Sequence, residues 1–229
     1  MRISTIMAVY NAERYVSQAL DSVLGQTAPP DEIIAIDDGS SDGTPDVLRQ
    51  FAPRVRIIHQ RNYGVSRALN VAITESTGDA LAFLDCDDVW LPDKLKIQSA
   101  VLSSEKDLEA VFGFVQQFVS PDLNLEIAQK YIVPDAPQPG ISKNSMLIHR
   151  RAFERIGPFN EQLATSDFVE WYARANVLGL RWRMLPELVA LRRHHPNNAG
   201  RRLRSTQHDE ILKALKHSLD LRRRGGNSY

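Results

Sequence analysis

Short apolar runs and one-sided helical stretches alternate along the first hundred residues. Ile3 to Val9 (ISTIMAV) is apolar and β-branched, the mark of a buried strand. In the stretch that follows, Val16, Ala19, Leu20, Val23 and Leu24 fall on one helical face, and Gly25 is placed to stop the helix. A second strand, Ile33 to Ile36, runs into Asp37-Asp38-Gly39, and SSDGTPDVLRQF reads as a loop leading into a short helix. VRIIHQ predicts a third strand, VSRALNVAITES a helix closing near Gly78, and ALAFLD a fourth strand. LPDKLKIQSAVLSS predicts a helix with Pro92 in its first turn.

The second half is less regular. AVFGFVQQFVS reads as a strand and the proline-rich PDAPQPG as a mobile loop. NSMLIHRRAFERIGPFNE reads as strand, short helix and turn. SDFVEWYARANVLG reads as a helix, with Ser166 or Asp167 at its start and Gly179 at its end. RWRMLPELVALRRHH is extended, and about 206–224 is a basic amphipathic helix. Alternating strands and helices predict an α/β fold with a mostly parallel sheet. The near-continuous apolar strands require helices on both sheet faces. Ligands of such sheets bind beyond the carboxyl ends of the strands. Asn11, Asp37, Asp38, Asp85 and Asp87 all follow strand ends, so they should line one crevice.

Composition narrows this little. The chain has 229 residues, 43% hydrophobic and 24% charged, with zero formal net charge, so no global field draws it to nucleic acid. From Ala190 to Tyr229, however, ten Lys and Arg face three Asp and Glu, leaving an acidic body with a basic tail. One cysteine, Cys86, allows no internal disulfide and suits a reducing compartment. The short apolar start fits no signal peptide, and no run of about 18 apolar residues is present. The expected setting is the cytoplasm, with peripheral contact to a membrane left open.

Asp85, Asp87 and Asp88 crowd three carboxylates into four residues. Such groups repel and raise one another's pKa. A hard divalent cation, Mg²⁺ or Mn²⁺, would relieve that, using few protein ligands and bridging to substrate phosphates. The bland alternative is an acidic cluster at the start of the helix after Pro92, which suits Asp88 best. Cys86, between two of the acids, reads as a small buried filler. No G-x-G-x-x-G, Walker A, zinc-spaced Cys/His or G-x-S-x-G sequence occurs.

The blocks ISTIMAVYNAERYVSQALDSVLGQT, IIAIDDGSSDGT, GDALAFLDCDDVWLPDKL and SMLIHRRAFERIGPFNE resemble family 2 glycosyltransferases of the GT-A fold. The resemblance extends over roughly residues 2 to 200. It implies a Rossmann-like GT-A domain with a nucleotide-sugar-binding half at 1–110, an acceptor half at 111–200 and a C-terminal helical tail at 201–229. It further implies an inverting, metal-dependent transfer from a nucleotide-diphosphate sugar, most often a UDP-sugar, to an acceptor hydroxyl. Carried over by position, Ala8, Tyr10 and Asn11 line the base and ribose pocket, and Asp38 pairs with the base. Asp85 and Asp87 form the DxD that holds ribose and metal. Arg67 and Asn70 approach the donor, although the chain has RALN where an Arg-Asn pair is common. SDFVEWYAR matches the family's E-D-x-x-x-W-x-x-R region. There Ser166 replaces an acid, Asp167 becomes the general base, and Glu170 is its alternative. Trp171 fills core or stacks on an acceptor. Arg193 and His194 or His195 reach the leaving diphosphate or the metal. The acceptor is a saccharide, a lipid-linked molecule or a small molecule.

The tail places leucines among basic residues. It reads either as an interfacial helix on anionic lipid or as a helix packed on the domain or a second subunit. Two rival functions remain: a nucleotidyltransferase, which would normally show a Gly-rich basic loop where this chain has YNAERY, and a non-catalytic nucleotide-sugar-binding module.

Overall fold

A computed structural model describes residues 1–198 and Glu210. The expectation of a basic helix at 201–229 lies outside the described residues, Glu210 excepted. Strand β1 (Ile3–Val9) sits between β2 (Glu32–Asp37) and β4 (Ala80–Phe83), with β3 (Arg56–His59) beyond β2, all parallel. The period of two is visible in their burial. Ile3, Met7 and Val9 of β1, with Ile33 and Ala35 of β2, face one core; Ile6, Ile34 and Ile36 face the other. The first core is closed by α1 (Val16–Leu24), α2 (Thr44–Arg49) and α4 (Lys94–Ser104). The second is closed by α3 (Val65–Glu75), α6 (Arg150–Ile156) and α7 (Asp167–Val177). Helix α4 begins two residues after Pro92, not on it.

The sheet is not mostly parallel throughout. Its order is β3-β2-β1-β4-β8-β6-β9-β5, with β7 paired to β6. The strands β5 (Val89–Trp90), β6 (Ala110–Val119), β7 (Gln138–Gly140) and β8 (Leu147–His149) join by antiparallel pairings, while β9 (Trp182–His194) runs parallel to β6. Apolar runs report burial, not direction, which is why the second half could not be oriented from its sequence. β7 also corrects the mobile-loop reading of PDAPQPG, since its last three residues pair with β6. Gly140 explains the close approach: a Cβ there would collide with Val115.

Trp171 is fully buried, stacks on Phe153 at 5.3 Å between ring centroids, and donates its Nε1–H to the Gly157 carbonyl at 3.0 Å. It is core. Among the described residues no helix is long and apolar enough to cross a membrane.

Candidate active site

The register of the parallel strands aligns their carboxyl ends: Val9 opposes Asp37, and Asp37 opposes His59. The residues just past those ends therefore share one rim. Asn11 is left-handed there (φ 48°), and its side-chain oxygen accepts the Ser41 amide at 2.8 Å while its own amide donates to Ser40 Oγ at 3.0 Å. These bonds stitch the β1–α1 loop to the β2–α2 loop. Ala8 is half-buried and Tyr10 exposed at the same edge. Asp37 accepts from Ser40 N and pairs with His59 Nδ1 at 3.0 Å.

Asp38 is buried, and both its oxygens are engaged: Oδ1 by Gln60 Nε2 (2.7 Å) and Tyr63 N (2.9 Å), Oδ2 by Gly64 N (2.8 Å). It thus builds the 60–64 turn that walls the crevice. Gly39 (φ 75°) lies under the same turn, and a Cβ there would come within 2.8 Å of Asn62 N. Arg67 lies exposed on α3, stacked 4.5 Å over the exposed Tyr63 and 3.8 Å from Glu161. Asn70 does not face this crevice. It exchanges two bonds with the Phe159 backbone and donates to Glu161, so it pins α3 to the segment after α6.

The acidic loop after β4 is held from β9. His195 Nε2 meets Asp87 Oδ2 at 2.9 Å, and Asn198 Nδ2 reaches the same oxygen at 2.9 Å. His195 is buried, packs 4.6 Å from Tyr15, and leaves Nδ1 without a partner among the described residues, so the tautomer with its proton on Nε2 fits. Of the two histidines, His195 is the one that contacts the acidic loop, while His194 Nε2 meets Gln117. Strand alternation is the reason: 193 and 195 share one face, 192 and 194 the other. The same parity turns Arg193 inward. Buried between Tyr15 and Phe118, it donates to the Asp87 carbonyl, Ser120 and Gln18. Asp88 is no helix-start acid either. It accepts from Arg193 N at 2.8 Å and from the Asn144 amide, tying the loop to β9 and to the 3-10 turn Lys143–Ser145. Burial and the charges of Asp87 and Asp85 push its carboxyl well above the usual range. Cys86 packs against the core, and burial raises its thiol.

Asp167, the first residue of α7, is 2% exposed, and Lys143 Nζ donates to its Oδ2 at 2.7 Å. Burial pushes the Lys143 ammonium down, but the charges of Asp167 and Asp85 outweigh it and hold it above its ordinary range. Asp85 is raised by burial and by Asp87 and Asp167, against the lowering pull of Lys143. Lys143 is thus bonded to the helix-start acid and within electrostatic reach of the strand-end acid. Glu170 lies about one turn further along α7. Its carboxylate pairs with Arg174, which also grips the Ile156 and Pro158 carbonyls and locks α7 onto α6.

Among the described residues no group of three or more His, Cys, Asp and Glu forms a ready metal cage. A Mg²⁺ or Mn²⁺ that keeps its waters and bridges phosphates needs only one or two carboxylates. Asp85 and Asp87, crowded and partly open, fit that mode. Sequence reasoning missed Lys143, Asn144, Asn198 and Glu210. Little in the local sequence signalled them: Lys143 and Asn144 sit in the polar stretch SKNS, and Asn198 in the NN shortly after the histidines.

The profile of glycosyl transferase family 2 matches residues 4–156, from β1 through α6. The chain belongs to that family. An uncharacterized glycosyltransferase of Rickettsia felis is 30% identical over 184 residues, 74% of this chain and 31% of the relative. The chain spans only about a third of the length of the curated relatives it first matches. The fold is GT-A, in a single domain. The mannosyltransferase PcManGT from Pyrobaculum calidifontis, solved with GDP-Man and Mn²⁺, superposes at a TM-score of 0.72, with 18% identity, over 96% of this chain and 64% of that one. TarS of S. aureus, solved with UDP-GlcNAc, gives 0.74, with 15% identity, over 96% and 66%. Asp167 and β9 lie beyond the segment the family profile matches.

Proposed function

We propose that this family 2 glycosyltransferase moves a sugar from a nucleotide-diphosphate sugar to an acceptor hydroxyl with inversion, and that a UDP-sugar is its donor. The observation that carries the reading is the Asp85–Lys143–Asp167 arrangement, which puts a donor-side acid and a buried acid at a helix start in one crevice. Asn11, Tyr10 and the wall built by Asp38 border the nucleoside end. Asp85 and Asp87 would hold a divalent ion, which when bound supplies positive charge to the leaving diphosphate. His195 and Asn198 orient Asp87 for that task. Asp167 has Oδ2 taken by Lys143, so Oδ1 is left to accept the proton of the attacking hydroxyl. Arg192, exposed on the opposite strand parity from Arg193, lies near enough to Asp85 to lower its pKa and offers a cation to the diphosphate. The bound structures of TarS and PcManGT support a nucleotide-sugar donor, and leave UDP and GDP as the pair to separate first.

Calorimetric titration of UDP, GDP and dTDP, with and without Mn²⁺, tests the donor end on the wild type and on Asp87→Ala. Binding of UDP that needs Mn²⁺ and vanishes in Asp87→Ala is expected. Binding of a nucleotide that is indifferent to Mn²⁺ and to the substitution favours the non-catalytic binding-module alternative, and binding of none of the three overturns the donor assignment. For the acceptor end, Asp167→Asn should lower sugar transfer or donor hydrolysis at least about 10³-fold while nucleotide affinity holds.

A further inference from the structure

Helix α7 carries Asp167 at its first position, yet nothing in its own sequence caps it. Ser166 stands at the cap position without a side-chain cap bond, and its buried hydroxyl has no partner among the described residues. The free amides before the helix are met from elsewhere. Glu210, 5% exposed, accepts from Ala164 N at 2.7 Å, Thr165 N at 3.1 Å, Thr165 Oγ1 at 3.0 Å and Ser166 N at 3.0 Å. A carboxylate at this end of a helix also meets the positive end of the helix dipole.

We propose that Glu210 is a positioning residue for the general base: it fixes the 164–166 turn from which Asp167 projects. This rests on the reading of Asp167 as base. The logic is geometric. Asp167 is joined to Ser166 through one peptide bond, and Lys143 holds only the far end of its side chain. With the turn loose, the carboxylate moves although its lysine partner is unchanged, and a displacement of about 1 Å at a reacting group costs about a hundredfold in rate. Burial alone would raise the Glu210 carboxyl, but the bonds from Ala164, Thr165 and Ser166 outweigh it and leave it below the usual range, so the group stays an anion at neutral pH. Residue 210 lies 44 positions beyond Ser166, so the tail takes part in the site through at least this one side chain.

The test uses the full chain with Glu210→Gln and Glu210→Asp. Amide hydrogen exchange over 160–170 and hydrolysis of a panel of UDP- and GDP-sugars are read side by side, with nucleotide affinity from calorimetry. Glu210→Gln should speed exchange at 164–167 at least about tenfold and lower kcat about tenfold or more, with nucleotide affinity within twofold and β4 exchange unchanged. Glu210→Asp should recover part of both. Unchanged exchange at 164–167 overturns the tether. Faster exchange with unchanged kcat overturns the positioning role, as does an equal loss of kcat and nucleotide affinity. Asp167→Asn run in parallel separates the two ideas: if it retains full turnover, the base reading fails, while exchange still decides whether Glu210 holds the turn.

Discussion

Replacing Lys143 with Met should unbalance the crevice in a way a divalent ion can repair. The Lys143 and Asp167 side chains are 11% and 3% exposed, so water screens neither well. Removing one partner of a buried pair leaves an uncompensated charge and costs about 3–5 kcal/mol. Here the orphan is Asp167, within electrostatic reach of Asp85. For a domain of this size each kcal/mol moves Tm by about 2–4 °C, so Lys143→Met should melt about 10 °C lower in EDTA at pH 7.5. The loss should shrink near pH 5, because the cluster then takes up a proton; Lys143 is the strongest influence lowering the Asp85 pKa. Mn²⁺ should rescue the variant more than the wild type. If the missing ammonium makes the site bind the ion tenfold tighter, an ion concentration ten times the wild-type Kd stabilises wild type by about 1.4 kcal/mol and the variant by about 2.7. Thermal melts across a Mn²⁺ titration check this. A variant within about 2 °C of wild type in EDTA, or an identical Mn²⁺ shift in both proteins, would refute the claim that Lys143 is the counter-charge of the acidic crevice.

Three further outcomes are expected. Asn198→Ala or His195→Ala should weaken Mn²⁺ binding about 10- to 100-fold by calorimetry, with little change in metal-free Tm for Asn198→Ala, since both side chains orient Asp87 Oδ2. Gly39→Ala should destabilise by about 1–3 kcal/mol in denaturant melts and weaken nucleotide binding, because φ 75° and the 2.8 Å approach to Asn62 N leave no room for a Cβ. Lys94 is buried against Trp90 and Gln98, and burial drives its pKa well below the ordinary value. A depressed lysine makes the unfolded chain bind more protons, so stability rises with pH between the folded pKa and 10.5. Raising the pH from 7 to 9 should therefore stabilise wild type relative to Lys94→Met, by at most about 2.7 kcal/mol, measured by urea unfolding at both values.

The parallel half of the sheet was legible because its strands carry unbroken apolar runs and its functional residues follow those runs directly. Asn11, Asp38, Asp85 and Asp87 could be placed by that rule alone. Asp167 was legible through the spacing of Ser166, Trp171 and Arg174. What stayed hidden came from long-range pairing. Nothing near Asp88 reveals that Arg193 and Asn144 use it up, and nothing near Asn70 reveals Phe159. The choice between His194 and His195, and the burial of Arg193, depended on strand parity, which a two-residue register error inverts into no error and a one-residue error inverts completely. Glu170 misled because its acidic character is satisfied one turn on, by Arg174.

Strand β9 lies between β6 and β5, and its end delivers Arg193 to Asp88 and leads into His195 and Asn198 at Asp87. The acidic loop leaves the ribosome about a hundred residues ahead of these partners. The parallel strands β1 to β4 can pair as they emerge, since all their neighbours within that group are already made. The loop cannot take its final shape until β9, the last strand among the described residues, has threaded into the sheet. A growing chain therefore carries its four parallel strands while the acidic loop still lacks Arg193, His195 and Asn198, which arrive only with β9 and the residues just after it.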